Sequence, residues 1–332
     1  MSDPQQYTVG WICALTTEYI AARQFLNKEH DLPTHVSAND INGYTLGEMA
    51  GHNVVIAVLP RGTYGLSSAA SVAANMLNSF PNIRVGLMVG IGGGAPIAKR
   101  DIRLGDVVVS SPENFTGGVY QYDYGKTVQG REFQQTGFLN KPPAVVLTAL
   151  SVPESTYESE GHDIENRINA ILDKKPKLKK KYSRPAQGTD CLYKSTIVHP
   201  YGSEGDCRQL CGDQPHLMVK RPEREEDEND SSVHYGIIAS ANQLMKDATM
   251  RDTLAKEKDI LCFEMEAAGL MDGFPCLVVR GICDYSDSHK NKEWQGYAAM
   301  TAAAYAKDLL AKMVLSRVEQ EEKINEALSL GK

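Results

Sequence analysis

The sequence predicts an α/β fold: a single-domain mixed β-sheet flanked by helices. Short apolar segments rich in β-branched residues alternate with amphipathic segments, which is typical of a sheet covered by helices. Hairpin signals interrupt this alternation, so we expect antiparallel as well as parallel strand pairs. A chain of 332 residues with 42% hydrophobic residues can bury one large core. We therefore expect one domain over residues 1–320, with a charged insertion at about 154–231 and a tail at 321–332.

The N-terminal part of the chain contains two strand-to-helix units. The segment YTVGWICAL predicts a strand, and TTEYIAARQFLNKEH predicts the helix after it, with Glu18 at their junction. NGYTLGEMAGHNVVIAVLP predicts a β-ribbon with its turn at residues 51–53. Thr63, Ser67 and Ser68 lie at the start of the Ala-rich helix that follows. Hydroxyl groups there suit either an anion or hydroxyl binding site or ordinary N-capping.

A glycine-rich segment follows the next strand. RVGLMVGIGGGAP predicts a strand that runs into Gly90 and glycines 92–94. Gly90, Gly92 and Ala95 match the letters of the dinucleotide fingerprint, but that motif requires a helix directly after the glycines. Here Pro96, a charged turn and the strand VVVS come next. We therefore reject a dinucleotide-dependent oxidoreductase and expect the glycines to let the backbone approach a flat or ring-shaped ligand.

The middle of the chain is less regular. Residues 112–143 predict a β-ribbon or a loop that covers a site, and PAVVLTAL begins a helix. Between about Glu154 and Asp230 a basic run, a loop with cysteines and an acidic run follow one another. Such charge blocks are usually solvated or disordered. HYGIIASANQLM then predicts a strand with a polar turn, and WQGYAAMTAAAYAKDLLAKMVLSRVEQ predicts one long closing helix.

Two acidic clusters bracket an apolar run at residues 261–287. Glu264 and Glu266 lie two positions apart, so an extended backbone places both on one face and Met265 on the other. PCLVVRGIC predicts a strand buried on both faces that ends at Asp284. A buried carboxylate is costly unless a ligand or hydrogen bonds offset its desolvation. These acids therefore indicate a site, the alternative being surface-loop acids.

Polar residues or glycines follow five candidate strands. Ligands of open α/β sheets bind beyond the carboxyl ends of the strands. The sequence therefore predicts one site formed by these strand ends: Glu18, residues 90–94, residues 240–243, residues 264–266 and Asp284.

Composition limits the partners and the compartment. The net charge of −7 and the pI near 5.7 give no global field that would attract nucleic acid or an acidic membrane. The start of the sequence lacks a basic region followed by a cleavable apolar segment, and no window approaches the roughly 18 apolar residues of a membrane span. We expect a cytoplasmic protein with no nucleic-acid or membrane partner.

The seven cysteines fall into two groups. Four lie in apolar strand-like segments and are expected to be reduced core residues: Cys13, Cys262, Cys276 and Cys283. The other three lie in the polar loop, where Cys191, His199, Cys207, Cys211 and His216 are potential zinc ligands. The C-x₃-C spacing of Cys207 and Cys211 is usable but weak by itself. We expect no metal, and keep Cys207 and Cys211 as the one weak candidate.

Three long segments carry a family resemblance: LMVGIGGGAPIAKRDIRLGDVVVS, YQYDYGKTV and CFEMEAAGLMDGFPCLVVRGICDYSDSHKNKEWQGYAA. The chain resembles the purine nucleoside phosphorylase/uridine phosphorylase superfamily, in its nucleosidase branch typified by methylthioadenosine/S-adenosylhomocysteine nucleosidase. It is most similar to fungal members that occur alone or as the N-terminal domain of nucleotide-binding, repeat-carrying immune receptors. The resemblance extends from Tyr7 to about Leu310. It implies a three-layer α/β/α fold, a homo-oligomer, and catalysis without a metal or organic cofactor.

The resemblance also implies residue roles. Glu18 matches the glutamate that activates water, and Asp284 matches the aspartate that protonates the leaving purine. Glu266 matches the glutamate that holds the ribose hydroxyls, Met265 packs against the sugar, and Arg280 matches the arginine of the same motif. Further candidates for substrate binding are Glu264, Ile91, Gly92, Gly93, Asn242 and Gln243. Ile91 stands where bacterial nucleosidases have serine, and Asn242 or Gln243 near where they stack an aromatic residue.

These roles fit cleavage of a purine N-glycosidic bond. Cleavage develops positive charge on the ribose and negative charge on the base, which requires an acid at the base and a nucleophile opposite. We therefore predict a purine nucleosidase that acts on adenosine. Phosphorolysis is an alternative, kept open by Arg23 and Arg61, although the apolar LMVG stands where phosphorylases have a phosphate-binding arginine. A non-catalytic nucleotide sensor is a second alternative, but it would not need Glu18.

Basic residues near the predicted site raise the question of substrate size. His289 and Lys290 follow Asp284 in SDSHKNKEW, where they could meet a 5′-phosphate chain, and Arg61 is a third candidate. Similar immune-effector nucleosidases accept adenine nucleotides, which extends the expected substrates to ATP. Other cations in covering loops are Lys126, Lys220, Arg221 and Arg224. Each of these side chains could equally be a solvated surface residue.

Overall fold

The computed structural model describes residues 1–113, 116–131, 133–203, 205, 207–224, 231–289 and 292–330. Within these ranges the strands are β1 (Val9–Cys13), β2 (Lys28–Glu29), β3 (Tyr44–Met49), β4 (His52–Val58), β5 (Val85–Gly94), β6 (Val107–Ser110), β7 (Val119–Gln121), β8 (Gly125–Lys126), β9 (Gln134–Gln135), β10 (Val233–Ser240), β11 (Ile260–Glu264) and β12 (Cys276–Asp284). The helices are α1 (Thr16–Gln24), α2 (Leu66–Ser79), α3 (Ala144–Glu160), α4 (Ile164–Lys174), α5 (Pro176–Tyr182), α6 (Cys207–Cys211), α7 (Ala248–Lys258), α8 (Gln295–Lys312), α9 (Leu315–Gln320) and α10 (Ile324–Leu330).

The main sheet is mixed, as predicted. Its strand order is β11-β10-β6-β12-β5-β1-β4-β3-β2, with β7 paired to β10. Strand β5 runs parallel to β1 and β12, whereas β6 is antiparallel to β12 and β3 is antiparallel to β4. Strand β11 returns to β5 and pairs with it antiparallel at Phe263–Gly93 and Cys262–Gly94. This pairing closes β5, β12, β6, β10 and β11 into a ring at one end of the sheet.

Helices flank this sheet, which confirms the predicted fold class. Helix α8 is buried along most of its length and contacts β12 and β5, while α1, α3, α4 and α5 pack around α8. Helix α2 contacts β1 and β4. The four strand cysteines are buried and form no disulfide among the described residues, in agreement with the sequence. None of the described helices combines the length and apolar character that a membrane span requires.

Two element boundaries differ from prediction for local reasons. The β3–β4 turn is formed by Ala50 and Gly51, at φ values of 53° and 87°, and His52 already pairs with Met49 in the ladder. Such a two-residue turn with positive φ matches the twist of a hairpin. The helix predicted over TTEYIAARQFLNKEH ends at Gln24, because Lys28–Glu29 pairs with β3 at the edge of the sheet.

The closing helix is interrupted. Helix α8 ends at Lys312, and Met313 and Val314 are extended before α9. The carbonyl oxygens of Leu310 and Met313 each lie 3.1 Å from Nε2 of buried His52. A histidine from β4 therefore supplies a partner for carbonyl groups left without one where the helix ends.

The charged segment also differs from prediction, because much of it is helical. The basic run KKPKLKKKYSR covers the end of α4 and all of α5. Helix α4 buries Ile164, Ile168 and Leu172, and both helices contact α8. The lysines of this run are exposed, as expected of a solvated segment, but the run is ordered as helix and the expectation of disorder is wrong. Of the acidic run, residues 225–230 lie outside the described residues.

Candidate active site

The guanidinium of Arg280 is the centre of a buried group of carboxylates. Its Nη2 bonds Glu264 Oε2 and lies 3.4 Å from Glu266 Oε2, and its Nη1 lies 3.9 Å from Glu18 Oε1. Nη1 also donates to the carbonyl of Ile91 at 3.3 Å. Burial disfavours the charged form, but the three carboxylates outweigh it and raise the pKa of Arg280. Strand β12 therefore places one permanent cation among three acids from three other segments.

Glu18 is held in one orientation by the backbone. Strand β1 ends at Cys13 and α1 begins at Thr16, so Glu18 lies in the first turn of the helix. Its Oε2 accepts from the amides of Ala14 and Leu15 at 2.7 and 2.9 Å, and its Oε1 accepts from the amide of Ile91 at 2.8 Å. Burial raises the pKa of this carboxyl group against the opposing effect of Arg280 and these amides. A fixed carboxylate with raised proton affinity suits a general base.

Glu264 and Glu266 meet the same cation but differ in their surroundings. Strand β11 ends at Glu264, and Glu266 precedes a 3₁₀ turn at Ala267–Gly269. The prediction that one extended segment contains both glutamates is therefore wrong. The Glu264 carboxylate also accepts from the amides of Glu266 and Ala267 at 3.1 and 3.0 Å. Besides its bond from Arg280, Glu266 accepts a longer bond, 3.3 Å, from the amide of Gly65. Burial raises the pKa of Glu266 to about 7, opposed by Arg280 and reinforced by Glu264 and Glu18.

The start of helix α2 binds protein side chains. The amide of Gly65 donates to Glu266, and the amide of Leu66 donates to Asn242 Oδ1 at 3.1 Å. Asn242 is in turn held by a bond from its own amide to Asp123 Oδ2 at 3.0 Å. The amides of the predicted anion or hydroxyl site therefore position two candidate ligand residues. Thr63 and Ser68, by contrast, bond locally, to the carbonyl of Pro60 and to Thr63 respectively.

Asp284 lies at the end of β12, about 5% exposed. Its Oδ1 accepts from the amide of Ser286 at 2.9 Å, which orients the carboxyl group. In the ladder Asp284 pairs with Gly93, and Arg280 pairs with Gly90. Three residues of strand span roughly 10 Å. The Arg280 cluster and Asp284 therefore lie at the two ends of one short glycine-rich segment.

The glycines of β5 allow this arrangement, and they lie within the strand and not in a turn after it. A Cβ on Gly90 would lie 2.7 Å from Arg280 Nη1, and a Cβ on Gly93 would lie 2.6 Å from Asp284 Oδ1. Real Cβ atoms do not approach so closely, so a side chain at either position would displace the charged groups. Gly92 is also buried, while Ile91 presents a half-buried side chain.

The remaining candidates are placed less centrally. Met265 is half-buried, and Gln243 is exposed, its carbonyl accepting from the Tyr122 hydroxyl at 3.0 Å. Arg61 is exposed in the loop before α2. His289 is 8% exposed and its ring stacks on Tyr193 at 4.0 Å. Lys290 lies outside the described residues.

Segments from the charged region cover the Asp284 end of the site. A cavity of about 230 Å³ there is lined by Asp284, Tyr285, Tyr193, Cys207 and His289, among others. Tyr285 is held by its hydroxyl bond to Asp190, and Arg221 lies over its ring at 5.3 Å. The sequence did not point to Asp190, because it lies in a segment without periodicity. Larger cavities lie elsewhere: one of about 910 Å³, at Arg224 and His234, contains none of the site acids.

The loop arginines considered for phosphate are engaged elsewhere. Arg221 pairs with Asp190 at 3.1 Å, and Arg224 pairs with Asp106 at 2.6 Å. Ser286, whose amide orients Asp284, and Asp123, which holds Asn242, were not anticipated either. The Ser286 bond lies within one tight turn, and the Asp123 bond connects two loops. Sequence patterns do not predict backbone amide bonds of either kind.

Solved structures share this fold. The chain has the fold of the purine nucleoside phosphorylase/uridine phosphorylase superfamily, and the resemblance to its nucleosidase branch is confirmed. Among solved structures, 5′-methylthioadenosine/S-adenosylhomocysteine nucleosidase from Neisseria meningitidis matches with a TM-score of 0.56 at 16% identity, over 92% of this chain and 98% of that one. Futalosine hydrolase of Helicobacter pylori matches with a TM-score of 0.53 at 14% identity, over 92% of this chain and 97% of that one.

Relatives by sequence are longer proteins. A nucleotide-binding leucine-rich repeat (NLR)-like protein from Hyaloscypha variabilis is 45% identical over 307 residues, which is 92% of this chain and 29% of that protein. ATP nucleosidase Cap17 from Escherichia coli is 36% identical over 84 residues, which is 24% of this chain and 17% of that protein. The chain thus spans less than a third of the length of these relatives. No protein-family model matches it.

Proposed function

We propose that this chain is a purine nucleoside N-ribohydrolase that releases the free base from adenosine and from adenine nucleotides, including ATP. The observation that carries the proposal is the placement of Glu18 and Glu266 on Arg280 at one end of the β5 glycine segment and of Asp284 at the other. The extension to ATP rests on the relative named ATP nucleosidase. It is also supported by Arg61, an exposed cation in the loop that leads to Gly65. The amide of Gly65 bonds Glu266.

In this proposal each acid has one task. Asp284 passes a proton to N7 of the purine and accepts a hydrogen bond from the exocyclic amine, which favours adenine. Water attacks C1′ as the bond to the base breaks, and Glu18 takes the proton that the water loses. Each such proton transfer is typically worth about 10² to 10⁴ in rate.

The charge balance of the cluster suits the transition state. Three carboxyl groups surround one guanidinium, and even with Glu266 protonated the carboxylates outnumber the guanidinium, so the cluster carries surplus negative charge where the ribose becomes positive. Fixed charge in a buried site stabilises such a developing cation without reorganisation. The Glu266 carboxylate, held through Gly65 and Arg280, would bond the ribose hydroxyls.

The same charge argues for water over phosphate as the nucleophile. A phosphate anion beside Glu18 would be repelled, and Arg280 is already paired with Glu264 and Glu266. Arg23 pairs with Glu29 on the surface at 3.0 Å. Phosphorolysis remains an alternative to test because Arg61, the exposed cation nearest in sequence to the start of α2, could bind phosphate.

Product analysis tests the proposal. We expect adenine and free ribose from adenosine, and adenine and the ribose phosphate from AMP or ATP, at equal rates with and without phosphate. Inosine and guanosine should react more slowly, because neither carries the exocyclic amine at the adenine position. Ribose 1-phosphate as a product would replace hydrolysis with phosphorolysis. Binding of adenosine or ATP without release of base would favour a nucleotide-sensing module.

Matched variants separate the roles of the two acids. Asp284→Asn should lose about 10²- to 10⁴-fold on adenosine, but keep most activity on 4-nitrophenyl riboside, whose leaving group needs no proton. Glu18→Gln should lose activity on both substrates. Asp272→Asn, the same change at an exposed position, is the control. Equal losses on both substrates for Asp284→Asn would refute its role as the acid.

A further inference from the structure

A second group of reactive side chains lies outside the acid cluster. His199, Cys207 and Cys211 each present one ligand atom, and these atoms all lie within 4.8 Å of one another. His199 Nδ1 is 3.5 Å from Cys207 Sγ and 3.2 Å from Cys211 Sγ. A zinc ion bonds sulfur at about 2.3 Å and nitrogen at about 2.0 Å, so tetrahedral ligand atoms lie roughly 3.5 to 3.8 Å apart. The observed spacing is therefore close to that of a zinc site.

The tautomer of His199 is suited to metal binding. Its Nε2 lies 3.2 Å from the carbonyl oxygen of Ser203. A carbonyl only accepts, so Nε2 carries the proton and Nδ1 presents its lone pair toward the two sulfurs. Metal-bound histidines commonly donate their second ring N–H to a carbonyl or carboxylate in this way.

His289 supplies an independent observation. It is 8% exposed, and among the described residues neither of its ring nitrogens has a hydrogen-bond partner. A buried polar group without a hydrogen-bond partner is unfavourable, so this buried ring indicates a ligand. The His289 ring lies edge-on to His199 with centroids 6.1 Å apart, and its carbonyl accepts from Cys207 Sγ at 3.5 Å. Its Nδ1 lies 3.6 Å from Asp287 Oδ1, which leaves Nε2 as the nitrogen for a ligand.

We propose that His199, Cys207 and Cys211 bind a zinc ion, with Nε2 of His289 as the fourth ligand once its ring turns toward them. Two thiolates and two imidazoles form a closed tetrahedral set typical of structural zinc. The thiols lose their protons to solvent on binding, and no redox change is involved. Of the five potential ligands considered from the sequence, this site keeps His199, Cys207 and Cys211, and it takes His289 in place of Cys191 and His216.

This site would fasten the charged region to the segment that follows Asp284. The amide of His199 donates to Ser288 Oγ at 2.9 Å, and Tyr193 stacks on His289. Cys207 and His289 both line the cavity that reaches Asp284. The ion would therefore order the wall of the candidate site without contacting the acids, and it does not depend on the proposed reaction.

Metal analysis of the purified full chain tests the site. We expect one zinc per chain in the parent protein and at least a tenfold loss of bound zinc in Cys207→Ser and in Cys211→Ser. Cys191→Ser is the matched control, because Cys191 lies in the same region but its sulfur contacts the Gly188 carbonyl and Arg208. Equal zinc loss in Cys191→Ser, or a parent protein without zinc after growth with added zinc, would refute the site.

Cobalt substitution gives a readout that needs no variant to fold. The parent protein with Co²⁺ should show thiolate-to-metal charge-transfer bands and tetrahedral d–d bands, and their absence would refute the thiolate ligands. Competition with a chelator should show zinc affinity at least tenfold weaker in His289→Ala. Unchanged affinity would remove His289 from the ligand set. Zinc content is measured without substrate, so its outcome is separate from that of the nucleosidase assays.

Discussion

At the scale of single residues, the two glutamates of CFEME have different environments. Glu264 is satisfied by Arg280 and two amides, whereas Glu266 has only longer bonds of 3.3 and 3.4 Å. Three buried carboxylates cannot all be ionised cheaply beside one cation. Burial, reinforced by the charges of Glu264 and Glu18, raises the pKa of Glu266 to about 7 against the opposing effect of Arg280.

The free energy of unfolding should depend on whether the Glu266 carboxyl group is protonated. The pKa of Glu266 lies above its ordinary value of 4.5 in the folded protein. Its contribution to stability is therefore fully present below pH 4.5 and is lost as pH rises through about 7. Glutamine resembles the protonated acid at every pH. We expect Glu266→Gln to gain stability relative to the parent protein, by up to about 3 kcal/mol, between pH 4.5 and pH 8.

Urea unfolding of both proteins across that pH range measures the effect. Taking the difference between the two proteins cancels the titration of all other groups that the substitution leaves unchanged. A difference that stays flat across the range would show that Glu266 is ionised throughout in the folded protein.

The sequence could locate these residues but not divide their tasks. The rule that ligands bind beyond strand ends pointed to Glu18, Glu264, Glu266 and Asp284, and the structure brings the first three onto Arg280. Sequence spacing alone does not show which glutamate accepts hydrogen bonds from backbone amides. That depends on the turn at residues 265–267, and the sequence predicted extended backbone there.

At the scale of elements, long apolar strands and Ala-rich helices were predictable and the charged segment was not. Charge blocks suggested a solvated region, yet Ile164, Ile168 and Leu172 recur every four residues and are buried in α4. That period marks the apolar stripe of an amphipathic helix even when every other position is polar. Composition alone therefore predicts a solvated segment wrongly, because it averages over the apolar and polar faces of the helix.

Helix α4 should therefore contribute to global stability. Ile168 is fully buried between α4 and the core. Truncating a buried isoleucine removes its packing and leaves a cavity, so Ile168→Ala should cost about 2 to 5 kcal/mol. The adjacent Asn169 is exposed, and Asn169→Ala should change stability by about 0.5 kcal/mol or less.

Chemical denaturation of the two variants distinguishes a helix that belongs to the core from one that is loosely attached. A single unfolding transition shifted to lower denaturant in Ile168→Ala is expected. A separate early transition, with the main one unmoved, would show that α4 unfolds independently of the sheet.

At the scale of the whole molecule, the strands were predictable and their pairing was not. The order β11-β10-β6-β12-β5 and the return of β11 to β5 connect residues far apart in sequence. Local patterns identify a strand but carry no information about which distant strand it meets. The mixed sheet with flanking helices followed from the alternation of elements, while the ring that gathers the site acids required the three-dimensional structure.

A buried ionic network joins three distant parts of this molecule. Asp106, at the start of β6, accepts from Arg224 at 2.6 and 2.8 Å, from His234 at 2.9 Å and from the amide of Ser232 at 3.0 Å. Burial acts to raise the pKa of Asp106, but the bonds from His234 and Arg224 outweigh it and lower the pKa to about 2. The network connects both flanks of residues 225–230 to the sheet.

Removing the central charge should therefore be expensive. Asp106→Asn removes the fully buried charge that Arg224 and His234 share, and breaking a buried ion pair costs about 3 to 5 kcal/mol. Asp173→Asn removes a surface pair with Lys179 of comparable length, 2.7 Å, and should cost about 1 kcal/mol or less.

Because the pKa of Asp106 is depressed, its stabilising contribution is present above pH 3.8 and is lost as pH falls through about 2. The difference between the parent protein and Asp106→Asn in urea unfolding should therefore be constant from pH 7 down to pH 4 and shrink below it. A difference that is small at pH 7, or that already shrinks between pH 7 and pH 5, would show that the network does not hold Asp106 in its charged form.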